Sequence, residues 1–379
     1  MERVRYSGIR EAVQDAESYE ADGLSVVHFE RGRPDFDTPE AIKRAAMSAL
    51  EEGFVHYTPN AGIPELRSAI SAELREQGMN YEDDEVLVTT GAQEALFCIM
   101  QALVDPGDRV VIPSPGYPAY SALANMAEAE VVFAPFSQAG GWHLDIDALP
   151  HSLEGARLFM INSPHNPTGA VIPRGTWSAL AELVEGSNTV IVSDESYSKL
   201  IYEGKHASPA QLPELAERTC LVGSFSKAYS MTGWRLGYIA APRPLIDVLI
   251  RVHQHVVLSA ASFVQKAGVI AVREGEEATT AMRHEFRVRR DAILSILGDL
   301  SELEIVPPEG TFYMFPRVPK GEDDISFAKR LLREYGVSVV PGSVFGPGGA
   351  GYFRLAYCVS MDDCIEGARR IRRAVIGGV

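Results

Sequence analysis

Cysteine is scarce in this chain. Only Cys98, Cys220, Cys358 and Cys364 occur, and no two form a CxxC pair. Spacing therefore gives neither a zinc site nor a disulfide framework. Cys98 lies in an apolar helical pattern and is expected in the core. Positive charge is also short, with 35 Lys and Arg against 51 Asp and Glu, a formal net charge of −16. Nucleic acid and anionic membrane both demand a basic face, so neither is an expected partner. No run of about 18 apolar residues is present, so no membrane span is expected. Glu2, Arg3, Arg5, Arg10 and Glu11 precede any apolar stretch, which excludes a signal peptide on this reading and points to the cytoplasm. Repeats and low-complexity tracts are lacking too. What is present is an ordinary globular mixture, 46% hydrophobic and 23% charged. A chain of 379 residues can bury a large core without disulfides.

Periodicity predicts alternating elements. A polar helix opens at Ser7 and runs to about Tyr19, and a strand covers Val26–Phe29. Thr38 is an expected N-cap, with Pro39 at the first helical position. Helices follow at about 39–52 and 63–77. Strands are predicted at Val86–Thr89, Arg109–Ile112, Glu130–Ala134, Arg157–Ile161, Thr189–Ser193 and Cys220–Gly223. Helices fall between most of them, including those beginning near Ala92 and Trp177. Repeated βα units with short apolar strands mean a mostly parallel α/β sheet covered on both faces. After about residue 275 the pattern changes to a long charged helix, 276–297, then strands at Leu303–Val306, Phe312–Phe315, Val337–Val340 and Tyr352–Tyr357. Helices are expected near Ile325–Tyr335 and from Met361. The division implied is a large domain over 34–275, a smaller α+β domain over 276–379, and an N-terminal segment, 1–33, packing with the smaller one.

Chemically loaded segments fall at strand ends, where open α/β sheets bind ligands. SFSKAYSMTGWRLGY, residues 224–238, places Lys227 near Ser224, Ser226 and Arg235. A desolvated lysine beside another cation has a lowered pKa and forms imines. Serine and arginine suit a phosphate. Asp194 ends an apolar strand, with Tyr197 close behind; a carboxylate there could keep a pyridine nitrogen protonated. NSPHNPTGA, 162–170, offers Asn162 and Asn166. TTGAQEAL, 89–96, turns backbone N–H groups at a helix start toward an anion. Each has a bland reading alone: surface lysine, capping aspartate, ordinary turn. Their joint order does not. His253 and His255 have no carboxylate or cysteine at ligand spacing, so no metal is expected. GPGGAG, 346–351, follows no strand-to-helix pattern and reads as a mobile turn. Met231 and Trp234 read as packing residues.

Taken with GRPDFDTP, Tyr57-Thr-Pro and Phe353-Arg-Leu, these segments resemble the class I/II aminotransferases of fold type I, from Ser7 to about Ala374. The resemblance implies pyridoxal 5′-phosphate on a large domain with a mostly parallel seven-stranded sheet. It implies that Lys227 carries the cofactor as a Schiff base and moves the substrate proton. Asp194 would meet the pyridine nitrogen, Asn166 and Tyr197 its phenolic oxygen, and Tyr117 its ring face. Gly91, Ala92, Gln93, Ser224 and Arg235 would hold its phosphate, joined by Tyr57 from a second subunit, hence a homodimer with shared sites. Arg354 would grip the substrate α-carboxylate near Gly32 and Asn166. The substrates implied are an amino acid and a 2-oxo acid. Some bacterial aspartate aminotransferases have lysine where Gln93 stands, and no arginine occurs between Val252 and Val272. A neutral or aromatic donor is therefore expected, with Arg33 a compensating cation if the donor is acidic. β-Elimination, cyclisation or oxidation on the same scaffold is the alternative. Ser224-Phe-Ser-Lys227 also matches the S-x-x-K of penicillin-binding hydrolases, but the K-T-G element such enzymes need is missing.

Overall fold

The computed structural model describes residues 6–139 and 141–377; Glu2, Arg3 and Arg5 lie outside them. Its centre is an eight-stranded sheet. In chain order the strands are β2 (Val86–Thr89), β3 (Arg109–Ser114), β4 (Glu130–Ser137), β5 (His143–Leu144), β6 (Ala156–Asn162), β7 (Val190–Asp194), β8 (Thr219–Ser224) and β9 (Gly237–Ala240). They lie in the order β2-β9-β8-β7-β6-β3-β4-β5. β8, β7, β6, β3 and β4 are mutually parallel, while β9 runs against both its neighbours. The eighth strand, β5, is a two-residue antiparallel addition at one edge. Leu158, Phe159, Met160 and Ile161 of β6 are fully buried. Each such side chain contributes about 2 kcal/mol of burial. Helices close both faces, which is why these strands read as continuous apolar runs rather than as alternation.

Four short strands complete the chain: β1 (Val27–His28), β10 (Tyr313–Met314), β11 (Val337–Ser338) and β12 (Val340–Pro341), with a fifth, β13 (Phe353–Ala356). β1 pairs in parallel with β11, and β13 lies between β10 and β12. A hydrophobic cluster joins Phe29, Phe286, Phe312, Phe327, Phe353 and Tyr357 around them. The helix Gly8–Ala21 packs on β11 and β12.

Several expectations require correction. Thr38 does not cap its helix, because Pro39 holds that position. The Thr38 hydroxyl instead donates to Ser230 O at 2.7 Å and accepts from Trp234 Nε1 at 3.0 Å. Leu303–Val306 forms no strand; a 3-10 turn ends at Leu303, and Glu304 adopts a left-handed conformation that breaks extension. Val337–Val340 is split at Val339 into β11 and β12, which pair with different strands. Residues 346–351 are not a free turn. Gly348 N donates to Ser114 Oγ at 2.8 Å, and Gly116 N donates to Phe345 O at 2.8 Å. β9 was not predicted; it begins in the last two residues of the lysine-bearing segment and runs on to Ala240.

Candidate active site

The parallel strands split at β3 and β6: β3 continues outward to β4, while β6 leads to β7 and β8 on the other side. A cavity of about 560 Å³ opens beyond their carboxyl ends, the place where such sheets bind ligands.

β8 delivers the lysine. Ser224 ends the strand, and its Oγ accepts from Ser226 N at 3.2 Å, starting the helical turn Phe225–Ala228. Lys227 projects from that turn and donates through Nζ to Gly32 O at 2.6 Å. Removal from bulk water penalises the ammonium, and Arg354 and Arg235 add repulsion, so its pKa falls to about 8. β7 delivers Asp194. The carboxylate is buried, accepts from Tyr120 OH at 2.8 Å, and accepts from Ser196 Oγ and N at 2.6 and 3.1 Å. Burial raises its pKa, and the three donors pull the other way. β6 leads into Asn166, whose backbone N–H donates to Asn162 Oδ1 at 3.0 Å.

Arg354, on β13, is almost fully buried. It donates to Glu30 O at 2.7 Å and to Asn166 Oδ1 at 3.3 Å, and its guanidinium lies 4.4 Å from the Tyr313 ring centre. Its Nε is buried with no partner, an orphan donor facing a ligand-sized space. Gly32 must be glycine: an added Cβ would stand 2.3 Å from Tyr313 OH. Tyr313 OH in turn shares a 2.9 Å hydrogen bond with Tyr197 OH.

Opposite the lysine, β2 leads into Gly91 at φ +80°, and Ala92 and Gln93 begin the helix Ala92–Leu103. Their N–H groups have no intrahelical acceptor and suit an anion. An added Cβ at Gly91 would meet the Arg235 guanidinium at 2.7 Å, so the missing side chain makes room for that cation beside the helix start. Arg235 itself holds φ +54°, a conformation costing about 1–3 kcal/mol and characteristic of functional sites. Tyr117 leans edge-on to Tyr120 at 5.5 Å and approaches Gln93 Oε1 at 3.4 Å.

Of the cofactor- and substrate-site residues that the resemblance implied, all but Gly91 and Tyr57 line this one cavity. Gly91 adjoins it, between the strand end and the lining residue Ala92, against the Arg235 guanidinium. Tyr57 is elsewhere, 85% exposed. Sequence reasoning missed Tyr120, Tyr313, Ser196, Thr232, Ile9 and Arg10, which also line it.

Residues 25–371 match the family model for aminotransferase class I and II. The chain belongs to this family. It is 38% identical to an aspartate aminotransferase of Pyrococcus horikoshii, the match covering 99% of this chain and 96% of that protein. Two solved structures superpose closely. The aspartate aminotransferase of Thermus thermophilus with maleate gives a TM-score of 0.93 at 36% identity, covering 98% and 97% of the two chains. The aromatic aminotransferase of Pyrococcus horikoshii gives 0.90 at 35% identity, covering 95% and 98%. This aminotransferase is thus an enzyme of amino-group transfer on fold type I, and the lyase, cyclising and oxidase readings are set aside. Family membership implies pyridoxal phosphate. The aminotransferase cavity fits that group: an anion cradle a Cβ would fill, a buried acid, and a lysine of depressed pKa. Among the aminotransferase's described residues no helix is long and apolar enough to cross a membrane.

His253, expected to lack a carboxylate or cysteine partner, has both within reach. Glu94 and Cys98, one turn apart on their helix, bring a carboxylate and a thiol beside it. Glu94 Oε1 accepts from Cys98 Sγ at 2.7 Å and pairs with His253 Nδ1 at 3.0 Å. Cys98 is therefore buried but hydrogen-bonded. Arg33 lines an outer groove and not the cavity itself.

Proposed function

We propose that this enzyme uses pyridoxal phosphate, held through Lys227, to move an amino group from a neutral or aromatic L-amino acid to a 2-oxo acid. The observation that carries this reading is a lysine amine with pKa about 8 facing the same cavity as Asp194 and Arg354. When bound, the cofactor supplies an electron sink for negative charge at the substrate Cα. Lys227, largely neutral above pH 8, would hold the cofactor through its amine and, when free, would serve as the base that carries the substrate Cα proton. Asp194, whose carboxylate oxygens are held by Tyr120 and Ser196, would keep the ring nitrogen protonated. Asn166 and Tyr197 would orient the ring oxygen, and Tyr117 would cover its face. The Gly91–Gln93 turn, Ser224 and Arg235 would bind the phosphate. Arg354 would clamp the α-carboxylate beside Gly32, fixing the C–H bond for abstraction. Tyr57, exposed on one chain, is proposed to reach the phosphate of a second copy in a homodimer, and the enzyme is proposed to work in the cytoplasm.

Mixing the purified yellow enzyme with single amino acids tests the donor class. Conversion of the cofactor band to the amine form is expected with neutral or aromatic donors. A panel in which aspartate exceeds all of them in kcat/KM would refute the donor assignment. Lys227→Ala is expected to lose the Schiff-base band and all measurable turnover.

A further inference from the structure

Two phenols meet inside the cavity. Tyr197 OH and Tyr313 OH lie 2.9 Å apart, both side chains are buried, and both line the space that Lys227, Asp194 and Arg354 face. For each hydroxyl this is the sole hydrogen bond among the described residues.

The chain builds the meeting from both sides. Tyr313 opens β10 opposite Ala356 of β13, so alternation puts it on the face that carries Arg354, two residues away. The Arg354 guanidinium lies 4.4 Å from the Tyr313 ring centre. Upstream, Thr311 holds φ +65°, a conformation that a β-branched residue rarely adopts. The stretch that carries Tyr197 keeps it there. Thr311 N donates to Leu200 O at 2.8 Å, Thr311 O accepts from Tyr202 OH, and Leu200 N donates to Tyr197 O at 2.8 Å. Strain of this kind persists where the surroundings over-determine it, and it gathers at functional sites. Thr311 Oγ1 then accepts from Tyr313 N at 3.0 Å, which fixes the start of the strand.

Two hydroxyls that share one bond have one proton over. Burial raises both pKa values, so both phenols stay protonated near neutral pH. Arg354, seated on the Tyr313 ring, opposes that rise there, which favours Tyr313 as the donor. Tyr197 then keeps its own proton for another acceptor. We propose that Tyr313 is a positioning residue: its hydroxyl donates to Tyr197 and turns the Tyr197 proton toward the cofactor's ring oxygen. This rests on the reading that Tyr197 meets that oxygen. Because Arg354 sits on the same ring, one side chain ties the carboxylate clamp to the cofactor's charge distribution.

The test reads the pH midpoint of the Schiff-base band in the holoenzyme. A hydrogen bond donated to the ring oxygen favours the form with negative charge on that oxygen and no proton on the nitrogen. A donor behind Tyr197 strengthens that bond by a fraction, so Tyr313→Phe is expected to raise the midpoint by roughly 0.3–0.7 pH unit. A midpoint that stays put would overturn the proposal, as would one that falls because Tyr197 regains a proton it was giving to Tyr313. Tyr197→Phe should raise the midpoint on its own, and adding Tyr313→Phe to it should move it by less than about 0.1 pH unit. A second full shift in that double variant would mean that Tyr313 does not act through Tyr197. Tyr313→Leu removes the ring as well. Pentanoate, an unreactive carboxylate, should then bind roughly 3–30-fold weaker, while Tyr313→Phe keeps its Kd within about two-fold. Unchanged pentanoate binding in Tyr313→Leu would break the tie to Arg354. An unmoved midpoint in Tyr197→Phe alone would instead sink the assignment of Tyr197 to the ring oxygen.

Discussion

Asp194 shows how much one side chain depends on neighbours distant in sequence. Its carboxylate is buried at the end of β7 and stays satisfied through Tyr120 and Ser196. Removing the tyrosine hydroxyl leaves one buried oxygen without that donor and lets burial push the acid's pKa higher. Tyr120→Phe is expected to lower kcat/KM roughly 10–100-fold, the worth of a hydrogen bond to a charged group; steady-state kinetics on holoenzyme checks it. Tyr117→Phe should cost less, since its hydroxyl reaches only Gln93, at 3.4 Å. Lys227 gives a pH prediction. Its pKa falls from 10.5 to about 8, so the reactive neutral amine is roughly a tenth of the population at pH 7, against under a thousandth for a free lysine. The rate at which the cofactor-free protein traps an aldehyde, followed by borohydride reduction and mass spectrometry, should climb with pH and level off above about 8. A rate still climbing tenfold per unit beyond pH 9 would place the amine in bulk water. The lysine and the acid were legible in the sequence because Asp194 ends an apolar strand and Lys227 follows another by three residues, each within a dense motif. Tyr120 and Tyr313 were not: their partners, Asp194 and Tyr197, lie 74 and 116 positions away, and a tyrosine in an apolar helix or strand carries no local mark of what its hydroxyl will meet.

At the scale of elements, long apolar runs were read almost to the residue, and short ones were not. β2, the helix from Ala92 and the helix Glu276–Leu297 follow from hydrophobic periodicity alone. β11 and β12 are two residues each and exist only because different neighbours pair with them, so no local pattern separates them. β9 is similar. It lies antiparallel between β2 and β8 with Gly237 opposite Thr89 and Ser224, and its segment reads first as a motif and only second as a strand. That glycine is a point of tight contact. A Cβ at 237 would stand 2.7 Å from Ala92 N, 2.7 Å from Gly91 C and 2.9 Å from Gly223 O, all backbone that cannot rotate away. Gly237→Ala is therefore expected to destabilise the protein by about 1–3 kcal/mol, the usual cost of overpacking, seen as a lower Tm. It should also weaken cofactor retention, because the displaced atoms belong to the turn proposed to hold the phosphate. Gly233→Ala serves as control, since a Cβ there meets nothing within 4 Å.

At the scale of the whole molecule, the outlying residue is Tyr57. Every other sequence-derived site residue sits in or beside one cavity, whereas this aromatic is 85% exposed, an unusual fate for a large ring with a proposed role. Symmetry resolves it if a two-fold partner completes the site, since each chain then gives its tyrosine to the other. Mixed dimers test this. A Lys227→Ala chain lacks the amine in its own site but still supplies Tyr57 to its partner. A Tyr57→Ala chain keeps its lysine but damages the partner's site. In the hybrid, one site carries both defects and the other carries neither. Random pairing of the two chains at equal amounts should therefore make about a quarter of all sites fully native. Activity above the sum of the two parent variants, appearing only after co-refolding or co-expression, is the expected result. Activity equal to that sum would mean that each chain builds its site alone, and Tyr57 would then be an ordinary surface residue.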